Sequence, residues 1–340
     1  MYRNIKTVFI ILCCLMTTQG LYSQTYTKAL ERKAKKGDPE AQYNLGCCYF
    51  FGNGVETDYS NAFMWYSKAA QQEYSLAHIM LGQCYYYGFG TSQNMVKAAG
   101  LYRKAADQGL PWAQRLLGLC YDVGNGVEQS DEEAFYWYSK SATTDATAQW
   151  VIGNFYFQGR FVDKDYNKAA EWYEKSANQG NAIGQSLLGS LYALGYGVKQ
   201  NLETASHWLH KAAMQNEDGA QYILGLLYYN GLGVKKDYDK AINMFKKSAE
   251  QGNTKSLTRL GVIYYEGKGG RLKDYTKAFN YFKLAAEDEQ HPIGEAMNYL
   301  SACYYNGRGT NMDNEKGLYW RKKAAEHGDD DAIDILRIPY

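Results

Sequence analysis

The 340-residue chain contains only four prolines. Proline breaks helix interiors and central strands, so its scarcity leaves long regular segments free to form. An excess of charge is missing too. With 37 basic and 36 acidic residues the formal net charge is +1, which leaves no electrostatic footprint for nucleic acid. Long apolar runs are absent: the run Val8 to Met16 (VFIILCCLM) falls far short of the ~20 residues a membrane-spanning helix needs. Catalytic patterns are lacking as well. The chain has no Gly-x-x-x-x-Gly-Lys-Ser/Thr, HExxH, Ser-x-x-Lys or Gly-x-Ser-x-Gly, so no motif points to a nucleotide, a catalytic zinc or an activated serine. His207 and His210 lie three apart on one expected helix, but no cysteine or carboxylate constellation joins them. No catalytic residue, cofactor or metal is therefore assigned.

Cysteines are few and badly spaced for bridging. Beyond Cys13 and Cys14 in the apolar run, Cys47, Cys48, Cys84, Cys120 and Cys303 remain. That odd number without paired spacing does not describe a disulfide framework. The first residues are a separate object. Arg3 and Lys6 precede the apolar run, and the small and polar stretch TTQGLYSQ follows it. This is the layout of a secretory signal peptide over 1–24, with cleavage near Gly20 to Gln24 and export to the periplasm or medium. A retained anchor is the alternative. Membrane contact is expected only through this segment.

The remainder, 25–340, is expected to be a single repeat domain. Aligned on a Leu-Gly pair, the copies place its first residue at Leu45, Leu81, Leu117, Ile152, Leu188, Leu224, Leu260 and Leu300. The copies occupy 38–73, 74–109, 110–145, 146–180, 181–216, 217–252, 253–289 and 290–328. Alanine, leucine and tyrosine at offsets 0, 4 and 8 form one stripe of a first helix. A Gly-x-Gly turn follows. A second helix then starts behind Asp58, Asn94, Ser130, Asp165, Asn201, Asp237, Asp274 or Asp313, all residue types that cap helix N-termini. Bulky and small residues alternate along it. A glycine-rich stop closes it, at Gly37, Gly109, Gly180, Gly252 and Gly328. Unpaired helices at 26–36 and 329–340 cap the array. The expected fold is all-α: a right-handed α/α superhelix, or solenoid, of about eight ~36-residue helix-turn-helix repeats with half-repeat caps.

The Gly-x-Gly pairs, such as Gly231 and Gly233, lack the preceding strand and third glycine of a dinucleotide loop. They read as helix stops. Cys48, Cys84, Cys120 and Cys303 share a core column and are expected to be reduced; Cys47 faces elsewhere and is expected to be partly exposed.

These columns resemble the Sel-one-like repeat, a relative of the tetratricopeptide repeat. The fullest match is AQYILGLLYYNGLGVKKDYDKA from Ala220, continuing to Ala249. The resemblance implies a superhelical scaffold that binds proteins or peptides and has no shared catalytic residues. Members of the family serve as adaptors in membrane-associated assembly, bacterial signalling and host interaction. Two departures stand out: Phe161 replaces the second turn glycine of the fourth copy, and Ser301 replaces the glycine of the Leu-Gly pair in the eighth. Some secreted members carry paired cysteines in each repeat; this chain does not.

Solenoids of this kind line their concave surface with first helices. The face opposite the alanine-leucine-tyrosine stripe carries Tyr43, Phe50, Tyr86, Trp150, Phe157, Tyr222, Tyr229, Tyr265 and Tyr305. Such an aromatic row supplies both apolar area and hydroxyls to a protein or peptide, and would also suit a glycan. The competing reading is that these rings pack against neighbouring first helices. The alternative function class is a cell-envelope enzyme or a glycan-binding regulator related to peptidoglycan or β-lactams. A nucleophile motif or metal constellation would mark the enzyme.

Overall fold

A computed structural model describes residues 24–337. The signal peptide expected over 1–24 therefore lies, apart from Gln24, outside the described residues. So do the last three residues of the C-terminal cap.

The helices fall into two compact units, one ending at Asp163 and one starting at Lys164. The first holds α1 (Lys28–Lys35), α2 (Pro39–Phe51), α3 (Tyr59–Gln71), α4 (Ser75–Tyr87), α5 (Met95–Asp107), α6 (Pro111–Val123), α7 (Asp131–Ser141) and α8 (Ala146–Gln158). The second holds α9 (Tyr166–Asn178), α10 (Ala182–Leu194), α11 (Leu202–Met214), α12 (Asp218–Asn230), α13 (Tyr238–Glu250), α14 (Thr254–Glu266), α15 (Tyr275–Ala286), α16 (Gly294–Asn306), α17 (Asn314–Glu326) and α18 (Asp330–Arg337). No strand occurs among the described residues. Within each unit every helix packs on its neighbours in sequence, so the fold is an all-α solenoid of helix pairs. Even-numbered helices from α2 to α16 are the first helices of the repeats; odd-numbered helices from α3 to α17 are the second. Helices α1 and α18 are the caps.

The repeat forms because its local signals agree. All eight expected N-caps accept a backbone N–H, as Asn94 does from Lys97 at 2.9 Å and Asp237 from Lys240 at 3.0 Å. This satisfies one of the orphan donors at each helix start. The first glycine of each turn ends the first helix in the left-handed region, as at Gly231 with φ 74°, and its N–H bonds the carbonyl of Leu227. The second glycine permits close approach. A Cβ on Gly90 would lie 2.1 Å from the Tyr59 carbonyl, at the start of the preceding repeat's second helix.

Side chains then join the two helices of a repeat. The glycine of each Leu-Gly pair receives a bulky side chain from the second helix: Tyr66 on Gly46, Tyr102 on Gly82, Phe245 on Gly225 and Phe282 on Gly261. The adjoining leucine or isoleucine column is buried from Leu45 to Leu300, and each such side chain contributes about 1.5–3 kcal/mol. The tyrosine column expected in this stripe behaves differently. Tyr49, Tyr85, Tyr228 and the others are half-buried. Their backbone carbonyls receive the N-cap residue's N–H, as Tyr228 does from Asp237 at 2.9 Å. Their rings lie beneath lysines of the second helix, Lys240 over Tyr228 and Lys277 over Tyr264.

A column absent from the sequence reading ties repeat to repeat. Gln42, Gln114, Gln149, Gln185 and Gln221 are buried, and each donates its Nε2 to a carbonyl at the end of the preceding second helix: Ala34, Ala106, Ala142, Ala177 and Ala213. Gln72, Gln215 and Gln251 then donate to Gln42, Gln185 and Gln221 at 2.8, 2.8 and 2.9 Å. Cys47 is a correction. It is 5 % exposed, because the first-helix face it occupies is covered, and it receives the Tyr66 hydroxyl at 3.5 Å. Cys48, Cys84, Cys120 and Cys303 are buried thiols, as the column implied.

Candidate partner-binding surface

The nine aromatic candidates all lie on first helices, but the structure does not leave them as a bare row. Tyr43 and Phe50 are 2 % and 3 % exposed. Tyr43 sits against Tyr66 and Tyr74, and Phe50 against Phe51, Tyr59 and Phe89. These two are core residues, because neighbouring aromatic helices close over them, and they offer a partner no area. The other seven are half-buried.

In the first unit, the Tyr86 hydroxyl receives the Asn125 amide at 2.8 Å. In the second, Tyr222 meets Phe245, and Tyr229 stands edge-on to Tyr238 at 5.2 Å. Burial raises the pKa of Tyr86 and of Tyr229. Tyr265 is edge-on to Tyr275 and Tyr299, and its hydroxyl receives Arg308. The seven rings are thus half-buried, and the hydroxyls of Tyr86 and Tyr265 are already engaged. Arg308 covers the Tyr265 ring at 5.2 Å, and Arg321 covers the Tyr305 ring at 5.6 Å.

Trp150 is the exception. On α8 it helps line a cavity of about 200 Å³, with Leu119 and Asp122 of α6, Val151, Asn154 and Phe155 of α8, and Arg115 and Arg160 at its edges. Its indole Nε1–H is buried and has no hydrogen-bond acceptor. A buried donor left unmet costs about 1–3 kcal/mol. The two arginines are fixed. Arg115 Nε bonds the Asp145 carboxylate at 2.9 Å. Arg160 spans Asp131 and Asp122, the latter at 2.7 Å, and covers the Phe155 ring at 4.5 Å. The bonds to Asp131 and Asp122 hold Arg160 above its usual pKa. The site is therefore a largely apolar slot, about the size of a single side chain, with a buried and unmet indole donor in its wall residue Trp150. Sequence spacing could name Trp150 but not its cavity.

The Phe161 departure directly follows Arg160 in the chain. Phe161 holds φ 60° where the other copies use glycine, and its ring packs on Phe135 at 5.6 Å. Elsewhere, no group of three or more His, Cys, Asp or Glu side chains gathers as a metal site among the described residues, and the His207 ring lies edge-on to Trp208. No helix among them is long and apolar enough to cross a membrane.

Comparison with known proteins agrees with this geometry. The Sel1 repeat pattern matches residues 39–74, 75–110, 113–143, 146–181, 182–217, 219–253, 254–289 and 294–329. The crystal structure of a protective antigen present in uropathogenic Escherichia coli strains, displaying an SLR fold, is similar: 36% identity and TM-score 0.76 over 91% of this chain and 66% of that one. A Sel1 repeat protein from Oxalobacter formigenes shares 27% identity and TM-score 0.65, over 95% of this chain and 92% of its own. No curated protein matches the chain. With eight matched copies between residues 39 and 329, the chain belongs to the Sel1 repeat family.

Proposed function

We propose that this Sel1-repeat scaffold is an exported, non-catalytic adaptor that holds an extended segment of a protein partner on its first helices. The observation that carries the reading is the Trp150 slot, where a buried indole N–H lacks an acceptor beside apolar walls. One partner side chain fits the slot against the apolar face of Trp150. The half-buried Tyr86 and Phe157 widen the apolar surface of the same unit. Tyr222, Tyr229, Tyr265 and Tyr305 do so in the other. Export rests on the leader layout over 1–24.

A photo-crosslinking residue placed at Leu119, on the slot's rim, tests the proposal in the native cell. The expected result is one dominant protein adduct, reduced at least tenfold by Trp150→Ala and largely kept by Trp150→Phe, which keeps the apolar body. The same label at Tyr136, on a second helix, serves as the control. Equal adducts from both positions, or an adduct indifferent to Trp150→Ala in a protein of unchanged helical circular dichroism, would sink the reading. An adduct carried by glycan rather than protein would replace the partner class.

A further inference from the structure

In the second unit the turns between paired helices stack on one another. The second glycine of each turn lies against the residue that opens the preceding repeat's second helix. An added Cβ would meet the Leu202 carbonyl at 2.3 Å from Gly233, the Tyr238 side chain at 2.7 Å from Gly269 and the Tyr275 carbonyl at 2.0 Å from Gly309. Leu202, Tyr238 and Tyr275 each directly follow the preceding turn. The turns 195–201, 231–237, 267–274 and 307–313 therefore run side by side along one edge of this unit. The two central turns hold Lys235, Lys236, Lys268, Arg271 and Lys273 against Asp237 and Asp274. Both aspartates are N-caps that accept backbone N–H groups of their own helices. Arg271 pairs with Asp239, and Lys268 with Glu266. Lys235, Lys236 and Lys273 are exposed, and no carboxylate among the described residues pairs with them. In the first unit, the turns 52–58, 88–94 and 124–130 hold no basic residue and carry Glu56, Asp58 and Glu128.

The same edge carries exposed apolar side chains. Leu194, Leu232, Leu272 and Met312, one from each repeat, all face solvent. Single exposed leucines are ordinary, but these recur along one edge and alternate with cations. Leu272 is the extreme case at 91 % exposed, between Arg271 and Lys273. It stands in the turn that is one residue longer than its neighbours, behind Gly269 and Gly270, both in the left-handed region at φ 72° and 74°. At that exposure no groove surrounds Leu272 to receive a protein's side chain. A bilayer surface, by contrast, takes a protruding leucine into its acyl boundary while its phosphates meet the flanking cations. We propose that this edge of the second unit docks on a membrane rich in anionic phospholipid, with Leu272 and Leu232 entering the acyl boundary and Lys235, Lys236 and Lys273 meeting lipid phosphates. The sequence confined membrane contact to the leader; this places it on the folded chain. It goes beyond the partner-binding reading and uses neither Trp150 nor the first unit.

The test uses the chain from residue 25 onward, which holds every described helix, and co-sedimentation with two kinds of vesicle. One is phosphatidylcholine alone; the other is equal parts phosphatidylcholine and phosphatidylglycerol. At ~0.1 M salt the chain should partition to the mixed vesicles at least tenfold more strongly. At ~1 M salt, where screening shortens the reach of a charge to about 3 Å, that preference should vanish. Leu272→Asp should weaken the partitioning at least tenfold, and so should the triple variant Lys235→Gln/Lys236→Gln/Lys273→Gln. All four side chains are exposed, so helical circular dichroism should not change. The control triple Lys175→Gln/Lys211→Gln/Lys247→Gln removes the same charge from exposed positions on second helices of the same unit and should bind as the parent does. Because the cysteines of the described chain are buried, a polarity-sensitive dye on Leu272→Cys reports that site alone. Its emission should shift to the blue on mixed vesicles and stay unchanged with soluble poly-L-glutamate. Equal partitioning to both vesicles, no partitioning, equal weakening by both triples, or a dye unmoved on mixed vesicles overturns the inference. So does binding of poly-L-glutamate as tight as that of the vesicles and indifferent to Leu272→Asp, which would assign the edge to an acidic polymer. A failure here leaves the Trp150 crosslink unaffected, so the two readings fall separately.

Discussion

At the residue scale, His78 shows how one substitution in a repeated column creates a titratable weakness. It stands where Gln42, Gln114 and Gln149 stand in other copies, and like them it is buried. Its Nε2 is 3.4 Å from the Glu73 carboxylate, and its Nδ1 is buried without a partner. Burial pushes its pKa below the usual value, against the attraction of Glu73 and with the repulsion of Lys104. Unfolded, the ring titrates near ~6.5. The unfolded chain then takes up the proton first as pH falls, so stability is complete above that value and declines as pH drops through the folded one. His78→Gln should place an amide donor toward the Ala70 carbonyl and remove this decline. The urea midpoint of the wild type should fall between pH 7.5 and 5 by more than that of the variant. Equal falls would contradict the assignment.

The core cysteines make a second prediction at this scale. Burial pushes Cys84, Cys120 and Cys303 up to about 12. Since the thiolate is the reactive form, a thiol reagent at pH 8 should leave them unlabelled in the folded chain and label all three in urea. Labelling of the native protein would disprove their burial.

At the scale of the element, the two kinds of glycine separate cleanly. Gly90 and Gly109 both have positive φ, 67° and 86°. An added Cβ would strike the Tyr59 carbonyl from Gly90 and meet nothing within 4 Å from Gly109. Gly109→Ala should cost the ~1 kcal/mol of left-handed strain alone. Gly90→Ala should cost over ~3 kcal/mol, because strain adds to a backbone collision that the helix can relieve only by moving. Urea unfolding of both variants checks the difference. Asn94→Ala, which removes an N-cap, should cost about 1 kcal/mol in the same measurement.

For the whole molecule, near-zero net charge and a repeated apolar interior explain a scaffold whose surface carries no general attraction for polyanions. Specific partners must then be recognised locally, at places where a repeat departs from its pattern. Export is tested by fractionation with mass determination of the N-terminus. The exported chain should begin between residues 20 and 25, and full-length protein confined to the cytosol would refute the leader.

The sequence by itself determined the periodic fold. Each repeat carries its own caps, stops and stripe, and these are local signals that hold wherever the helix pair is placed. The eight N-caps, the Gly231-type stops and the Cys48 column were all legible for that reason, and so was the family. Only the tertiary structure decided which rings are surface. Tyr43 and Trp150 share one offset in the repeat, yet one is core and the other lines a slot, because exposure depends on the neighbouring repeat's side chains rather than on helical phase. The buried glutamines, His78 beside Glu73, and Arg321 on Ser301 escaped the sequence for the same reason: their partners lie on an adjacent helix or turn, and no spacing along one helix records them.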